Sequence, residues 1–589
     1  MSWRDAPRSP DRAPNQVHVP EGARETFPLR RRVLPMDGVA GQAIETARNR
    51  LIVTAALFGL CFIALGFRLV DLSLFQGAEV AAHAHRTPAK LAARGDIVDR
   101  NGVLLATNLD TASLYADSTR IINAGDAASA LVTVLPDLSR ADVEAKLSSG
   151  KSFIWLKRNL SPRQQWEVNA LGLPGLAFQR EERRVYPYGS LASHVLGLVD
   201  VDNKGLAGVE AYFDEKLADP ARVAQPLTLS IDVRVQHVLA DELAGAISRF
   251  NGIGGAGVVM DVQTGEILAM VSLPDFDPND PAAVPPETRF NRVSLGVYEM
   301  GSTFKTFNTA LALETGSATL ASRYDASHPL QVGKHLISDS HPQNRVLTVP
   351  EIYMYSSNIG SVRMALDAGT AAQQALMNRL GMLRRTSVEL PERGMPLVPK
   401  PWLEINTMTI SFGNGIAVTP LHLATGVSAM VNGGVLLPAT LLKSDHAKAP
   451  SGMRVVSEKT SESIRRLMRL VVMRGTGKKA EADGYLVGGK TGTAEKTGAN
   501  GGYAHKSLLS SFVAAFPMTS PRYVVLAMVD EPRPNKDSAG MATGGWVAAP
   551  AVGNIIMRIA PMLGVEPVDE KSPVITEAMY VPMQGEGAE

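Results

Sequence analysis

Ser302 and Lys305, in Tyr298-Glu-Met-Gly-Ser-Thr-Phe-Lys305, have the types and spacing for nucleophilic chemistry. A serine hydroxyl attacks a carbonyl only when a base within hydrogen-bonding reach takes its proton. Positions i and i+3 of a helix share a face, so Lys305 can approach Ser302 Oγ. Gly301 before the serine and the run from Phe304 to Glu314 after it predict a helix beginning at the nucleophile, its dipole favouring negative charge there. Alone, the pair reads equally well as a capped helix with a solvated lysine. Two further groups follow, Ser356-Ser-Asn358 and Lys490-Thr-Gly-Thr493. Lys305 can serve as the base if neutral, and burial beside a second cation, Lys490, would lower its pKa toward that state. Ser356 can pass a proton between a lysine and a leaving amine, or be the base itself with the lysines acting electrostatically. Asn358 can orient Lys305 and hold a substrate amide. The Lys490 segment reads as an edge strand bordering the site. Gly492 would let a substrate backbone lie close, while Lys490, Thr491 and Thr493 can bind a carboxylate. The backbone N–H groups of Ser302 and Thr493 would make an oxyanion hole.

Ser-x-x-Lys, Ser-Asp-Asn and Lys-Thr-Gly, in this order, form the signature of class A β-lactamases and penicillin-binding proteins; here the middle element is Ser-Ser-Asn, which matches in its outer residues. The chain resembles the class B penicillin-binding proteins, membrane-anchored peptidoglycan D,D-transpeptidases, from about Arg50 to about Gly564. Arg94-Gly-Asp-Ile-Val-Asp-Arg-Asn-Gly-Val-Leu-Leu-Ala106 is similar to the opening motif of their non-catalytic domain. Arg184-Val-Tyr-Pro-Tyr-Gly189 with His194-Val-Leu-Gly197, and Gly205-Leu-Ala-Gly-Val-Glu210, resemble its other two motifs. Glu210 and Arg94 are expected to pair at the base of this pedestal.

The resemblance implies a two-step acyl transfer without metal or organic cofactor. Ser302 would attack the penultimate D-alanine carbonyl of a peptidoglycan stem peptide and release the last D-alanine. An amine of a neighbouring stem would then resolve the ester into a cross-link. β-Lactams, which mimic the D-alanyl-D-alanine end, would trap the same serine. A β-lactamase would have no pedestal, and a class A bifunctional enzyme would need a glycosyltransferase domain, for which 73–225 is too short. Asn358 and Gly545-Trp-Val-Ala-Ala-Pro550 resemble the division type; the alternatives are an elongation-type transpeptidase or a protein that is chiefly a divisome scaffold. The division type implies a FtsW-type glycan polymerase and other divisome membrane proteins as partners.

The rest of the sequence must place this site outside a membrane. With 59 basic and 58 acidic residues among 589, there is no electrostatic case for a nucleic-acid partner. Cys61 is the single cysteine, which rules out an intramolecular disulfide, and the eleven histidines show no metal-ligand spacing. Leu51 to Phe67 is uncharged, and with snorkelling of Arg50 and Arg68 it reaches the ~20 residues of a spanning helix. Arginines 24, 30, 31, 32, 48 and 50 put the N-terminus in the cytoplasm by the positive-inside rule. Ala82-His-Ala84 lies too far from the apolar run for signal cleavage, so the anchor is read as retained. The expected location is therefore the bacterial inner membrane, single-pass, with the catalytic domain periplasmic.

The expected organisation is a disordered tail (1–47), a transmembrane anchor (48–72), an elongated pedestal (73–225), a transpeptidase domain (226–564) and a loose C-terminal tail (565–589). Pro162–Leu171 reads as a pedestal helix. Pro226–Asp232 reads as a strand, and Val233–Phe250 as a long helix. Gly257–Asp261 and Glu266–Ser272 form a hairpin signal, and 511–516 and 523–529 are further strands. Strands at both ends of the domain with helices between fit an α/β (α+β) fold, the penicilloyl serine transferase five-stranded antiparallel sheet flanked by helices.

Overall fold

The computed structural model of the chain describes residues 39–70, 94–333, 335–444, 451–497 and 503–583. The chain divides into two units, Met1–Ala89 and Lys90–Glu589. In the first, helix α1 (Val39–Val70) begins nine residues before the expected anchor start at 48. Its segment Arg48–Arg68 has mean hydropathy 2.1 and none of it is buried. At ~1.5 Å rise per residue it spans roughly 30 Å, the thickness of a bilayer core, so by length and composition it can cross a membrane. Residues 1–38 of the expected tail, the Ala82-His-Ala84 segment, and 584–589 lie outside the described residues.

The second unit opens with a sheet of five strands: β1 (Ile97–Val98), β2 (Leu104–Ala116), β3 (Ile154–Leu160), β4 (Leu176–Val185) and β5 (Leu227–Thr228). The long β2 is its axis. It pairs β4 antiparallel from Thr107↔Val185 to Ala116↔Leu176, and β3 over its second half. Helix α2 (Pro162–Ala170) begins with a capping box from Ser161 and Gln164. The strand expected over Pro226–Asp232 is shorter, because only Leu227 and Thr228 find partners on β1, in parallel. Beyond it Leu229 makes one isolated bridge to Leu442.

Glu210 joins the three pedestal motifs. Its carboxylate is fully buried and meets Arg94 Nε and Arg184 Nε at 2.6 Å each. Arg94 also reaches Asp214 at 2.7 Å and donates to the Glu210 carbonyl. The expected Arg94–Glu210 pair is thus half of a larger cluster. Nearby, Gly208 N–H donates to the carboxylate of Glu392, and Asn279 exchanges two hydrogen bonds with the backbone of Tyr186. These contacts bind the three motifs to the region that carries Ser302.

That region is built on a second sheet. Its parts, in chain order, are α3 (Val233–Arg249), β6 (Gly254–Asp261), β7 (Ile267–Leu273), a 3-10 turn Gly301–Phe304, α4 (Lys305–Thr315), α5 (Val349–Tyr355), α6 (Asn358–Ala368), α7 (Pro420–Val431), α8 (Glu458–Met473), β8 (Gly488–Thr497), β9 (Tyr503–Phe516), β10 (Tyr523–Asp530) and α9 (Ala548–Met562). The strand order is β8-β9-β10-β6-β7, every neighbour antiparallel. Strand alternation sorts the core. Phe512, Ala514 and Val525 pack with Leu239 and Leu243 of α3 and Ile555 and Ile556 of α9. Val513 and Leu526 pack on the other face with Phe304, Phe307, Val427 of α7 and Leu467 of α8.

The chain after Val565, expected to be loose, is held down as far as it is described. Arg469 on α8 is buried, and its guanidinium pairs with Glu481 and Glu570 at 2.7 Å each. Glu570 also accepts Gly484 N–H, and Val581 is buried in the core. A buried arginine needs carboxylate partners, and the tail supplies one of the two.

Removing one partner of a buried ion cluster strands the others without water. Glu210→Ala should therefore lower stability by about 3–5 kcal/mol, read as a shifted denaturant midpoint. Arg163→Ala, at the exposed i,i+4 pair with Glu167, should leave the midpoint unchanged. Equal effects would show that the Glu210 cluster is not a structural centre.

Candidate active site

Gly301 sets the position of the serine. It sits at φ +52°, and a Cβ there would come within 2.6 Å of Thr493 O. The turn therefore lies directly against edge strand β8, with the backbone of Gly301 beside that of Thr493. The sequence predicted a helix starting at Ser302. The structure has a 3-10 turn over Gly301–Phe304, and α4 begins at Lys305. Gly492 faces this turn from the strand. A Cβ on it would meet Ser511 Oγ at 2.3 Å, Met300 O at 2.8 Å and Thr303 Cγ2 at 2.9 Å. Its missing side chain makes room for the protein's own serine turn.

Around Ser302 the structure gathers Lys305, Ser356, Asn358 and Lys490. Lys305 Nζ is 2.7 Å from Ser302 Oγ, 2.7 Å from Asn358 Oδ1, 3.2 Å from Ser356 Oγ and 3.0 Å from Ser356 O. Lys490 Nζ lies 2.9 Å from Ser356 Oγ. Ser356 is thus shared by two buried lysines, and it occupies a left-handed conformation (φ +62°) as the C-cap between α5 and α6. Strand alternation turns Lys490 and Gly492 toward this cluster and Thr491 and Thr493 the other way. Thr491 Oγ1 is 2.8 Å from Thr476 Oγ1, and Thr493 Oγ1 accepts Gly544 N–H at 3.1 Å. Ser302, Ser356, Asn358, Thr491 and Thr493 line one open cleft of about 600 Å³.

Among the described residues no carboxylate pairs with either lysine. Burial is the largest effect on Lys305, pulling its pKa well below the ordinary lysine value; Lys490 lowers it further, and Asp339 acts the other way. Burial alone brings Lys490 down to about 7. Both shifts follow from desolvating an ammonium. The arrangement provides a hydroxyl, a base held beside it, and a hydroxyl relay to a second amine.

Three supporting residues were not found from the sequence. Asp339 Oδ1 accepts the N–H groups of Asn358 and Ile359, and its Oδ2 accepts Ser357 Oγ–H. Asn358 Nδ2 donates to Ser338 O from the same segment. Capping patterns are read from the residues just before a helix, and a cap from nearly twenty residues upstream leaves no such signal. Tyr353 is fully buried, hydrogen-bonds Thr306 at 2.9 Å and places its ring 5.8 Å beneath Lys490 Nζ. Thr476 is visible only through its bond to Thr491.

Comparison with known proteins agrees with this geometry. Residues 255–557 match the penicillin binding protein transpeptidase domain, and 89–220 match the penicillin-binding protein dimerisation domain. The chain is 41% identical over 541 residues to the probable peptidoglycan D,D-transpeptidase FtsI of Caulobacter vibrioides, covering 90% of each chain. It is 31% identical over 506 residues to the peptidoglycan D,D-transpeptidase FtsI of Escherichia coli K12, covering 80% of this chain and 84% of that one. Penicillin-binding protein 3 of Mycobacterium tuberculosis, solved with ampicillin, superposes with a TM-score of 0.64 at 25% identity, over 82% of this chain and 98% of that one. With both domains present in one chain and the serine, its lysines and the middle motif brought together, the chain belongs to the class B penicillin-binding proteins.

Proposed function

We propose that the chain is a serine-type D,D-transpeptidase that cross-links peptidoglycan stem peptides during septal wall synthesis and is acylated by β-lactams. The observation that carries this reading is Lys305 Nζ, buried, without a carboxylate partner among the described residues, and 2.7 Å from Ser302 Oγ. Ser302 Oγ attacks the carbonyl as its proton passes to Lys305. The resulting oxyanion is held by the N–H groups of Ser302 and Thr493. Lys490 sends a proton through Ser356 Oγ to the leaving nitrogen, and Asn358 keeps Lys305 on the serine. Thr491 and Thr493 meet the substrate along the cleft. An amine acceptor then enters and the same relay runs backward, releasing the cross-linked peptide and free Ser302.

In this reading 1–47 is cytoplasmic, 48–72 crosses the inner membrane once, 73–225 is the pedestal, and 226–564 is the periplasmic transpeptidase domain followed by the 565–589 segment. A FtsW-type polymerase and other divisome membrane proteins are its partners through the anchor and the pedestal. The septal assignment is supported by the FtsI relatives at 41% and 31% identity. Depleting the protein should give filamentous cells; round cells would assign it to elongation.

A fluorescent penicillin should label the wild type covalently and leave Ser302→Ala unlabelled. An unlabelled wild type, or a labelled variant, would sink the assignment. The pH dependence has two limbs. Lys305 acts only without its proton, so acylation rises with pH through its lowered pKa. Lys490 donates only with its proton, so acylation falls as pH rises past about 7. A rate that climbs without a break to alkaline pH would remove the two lysines from these roles. Gly492→Ala should slow acylation about 100-fold, because the added methyl displaces the serine turn. An unchanged rate would mean that the strand does not position Ser302.

A further inference from the structure

Lys478 and Lys479 stand on the wall of the cleft that holds Ser302, and nothing in the acyl-transfer relay uses them. Both are exposed, and among the described residues neither has an ion-pair partner. Some surface cations elsewhere pair within their own helix, as Arg163 does with Glu167 and Arg466 with Glu462. The carboxylate nearest in sequence, Glu481, is taken by Arg469. Lys479 Nζ rests 4.2 Å from the centre of the Trp546 ring, which lines the same cleft. A cation seated on an aromatic face keeps its remaining N–H donors free to point away from the ring.

The turn carrying these lysines is joined to the motif strand by the 2.8 Å contact between Thr476 and Thr491. It therefore lies on the Lys490–Thr491 side of Ser302, with Ala494 and Glu495 on the other side along β8. The relay through Lys490 and Ser356 serves the leaving nitrogen, so the leaving group departs on the Lys490–Thr491 side. The acceptor amine must enter where the leaving group has left. Burial drives Lys305 and Lys490 toward their neutral forms, so fixed positive charge on this side comes from the exposed pair.

We infer that Lys478 and Lys479, with Trp546, form an acceptor subsite that binds the carboxylate of an amine nucleophile whose amino carbon also bears that carboxylate. The inference rests on the transpeptidase reading above. In the step concerned, the acceptor nitrogen attacks the ester carbonyl of acylated Ser302. The acceptor attacks as the neutral amine: a C–N bond forms, the C–Oγ bond breaks, and the N–H proton that the nitrogen gives up passes to Ser302 Oγ. The lysines take no part in this exchange; they raise the local concentration of the anionic acceptor and hold it in line.

The test is acyl transfer from an N-acyl-D-alanyl thioester to D-alanine or to D-alaninamide, which lacks the carboxylate, with amide product measured against hydrolysis. For the full-length wild type, D-alanine should half-saturate transfer at a lower concentration than D-alaninamide. In K478A/K479A the half-saturating D-alanine concentration should rise about tenfold while that of D-alaninamide stays the same. K478R/K479R should restore the preference. An unchanged D-alanine curve, or equal losses for both acceptors, overturns the subsite. A wild type that forms no acyl-enzyme from the thioester overturns the transpeptidase reading itself, and the subsite with it.

Discussion

Two lysine side chains buried together, with one serine hydroxyl between them and no carboxylate in contact, are the constraint on which this structure turns. Folding normally avoids such a pair, because each ammonium loses its water and repels the other. The rest of the chain obeys the usual rule. Arg94 and Arg184 close on Glu210, and Arg469 closes on Glu481 and Glu570. Among the described residues, only at Ser302 are buried cations left without a counter-charge. The unfavourable desolvation pulls Lys305 toward its neutral form, the form that the proposed base requires.

Holding that pair in place requires support from several distant segments. The sheet fixes Lys490 on edge strand β8, and α4 carries Lys305 one turn beyond Ser302. Gly301 and Gly492 allow turn and strand to touch, since a side chain on either would push them apart. Asp339 binds the first N–H groups of α6 and so fixes Asn358, whose carbonyl oxygen holds Lys305. Asp339 is also the one carboxylate that opposes the lowered pKa of Lys305, but its oxygens are taken up by the helix terminus. Its position steadies the middle motif without neutralising the base.

The reactive groups were legible in the sequence because their chemistry depends on residue type and order: Ser302, Lys305, Ser356, Asn358 and Lys490 meet as the spacing predicted. The five-stranded sheet was legible because β6, β7, β9 and β10 are apolar runs between turns. What was hidden depends on contacts across long sequence separations. The cap by Asp339 reaches α6 from nearly twenty residues upstream. The packing of Met300 and Thr303 beside Gly492 leaves no signal in the sequence either. The polar stretch after Val565 looked loose, since Glu570 has a purpose only once Arg469 is known to be buried. The strand expected over 226–232 shrank to two residues because β1 offers only Ile97 and Val98 as partners.

The central claim is that Lys305 is uncharged at neutral pH because of where it is buried. The most direct measurement is the titration of its side-chain nitrogen by NMR on ¹⁵N-lysine-labelled protein, assigned by comparison with Lys305→Arg. The account predicts a neutral-amine signal for Lys305 that persists far below the pH at which an ordinary lysine gains its proton. An ammonium signal at neutral pH that titrates with the exposed lysines would contradict it.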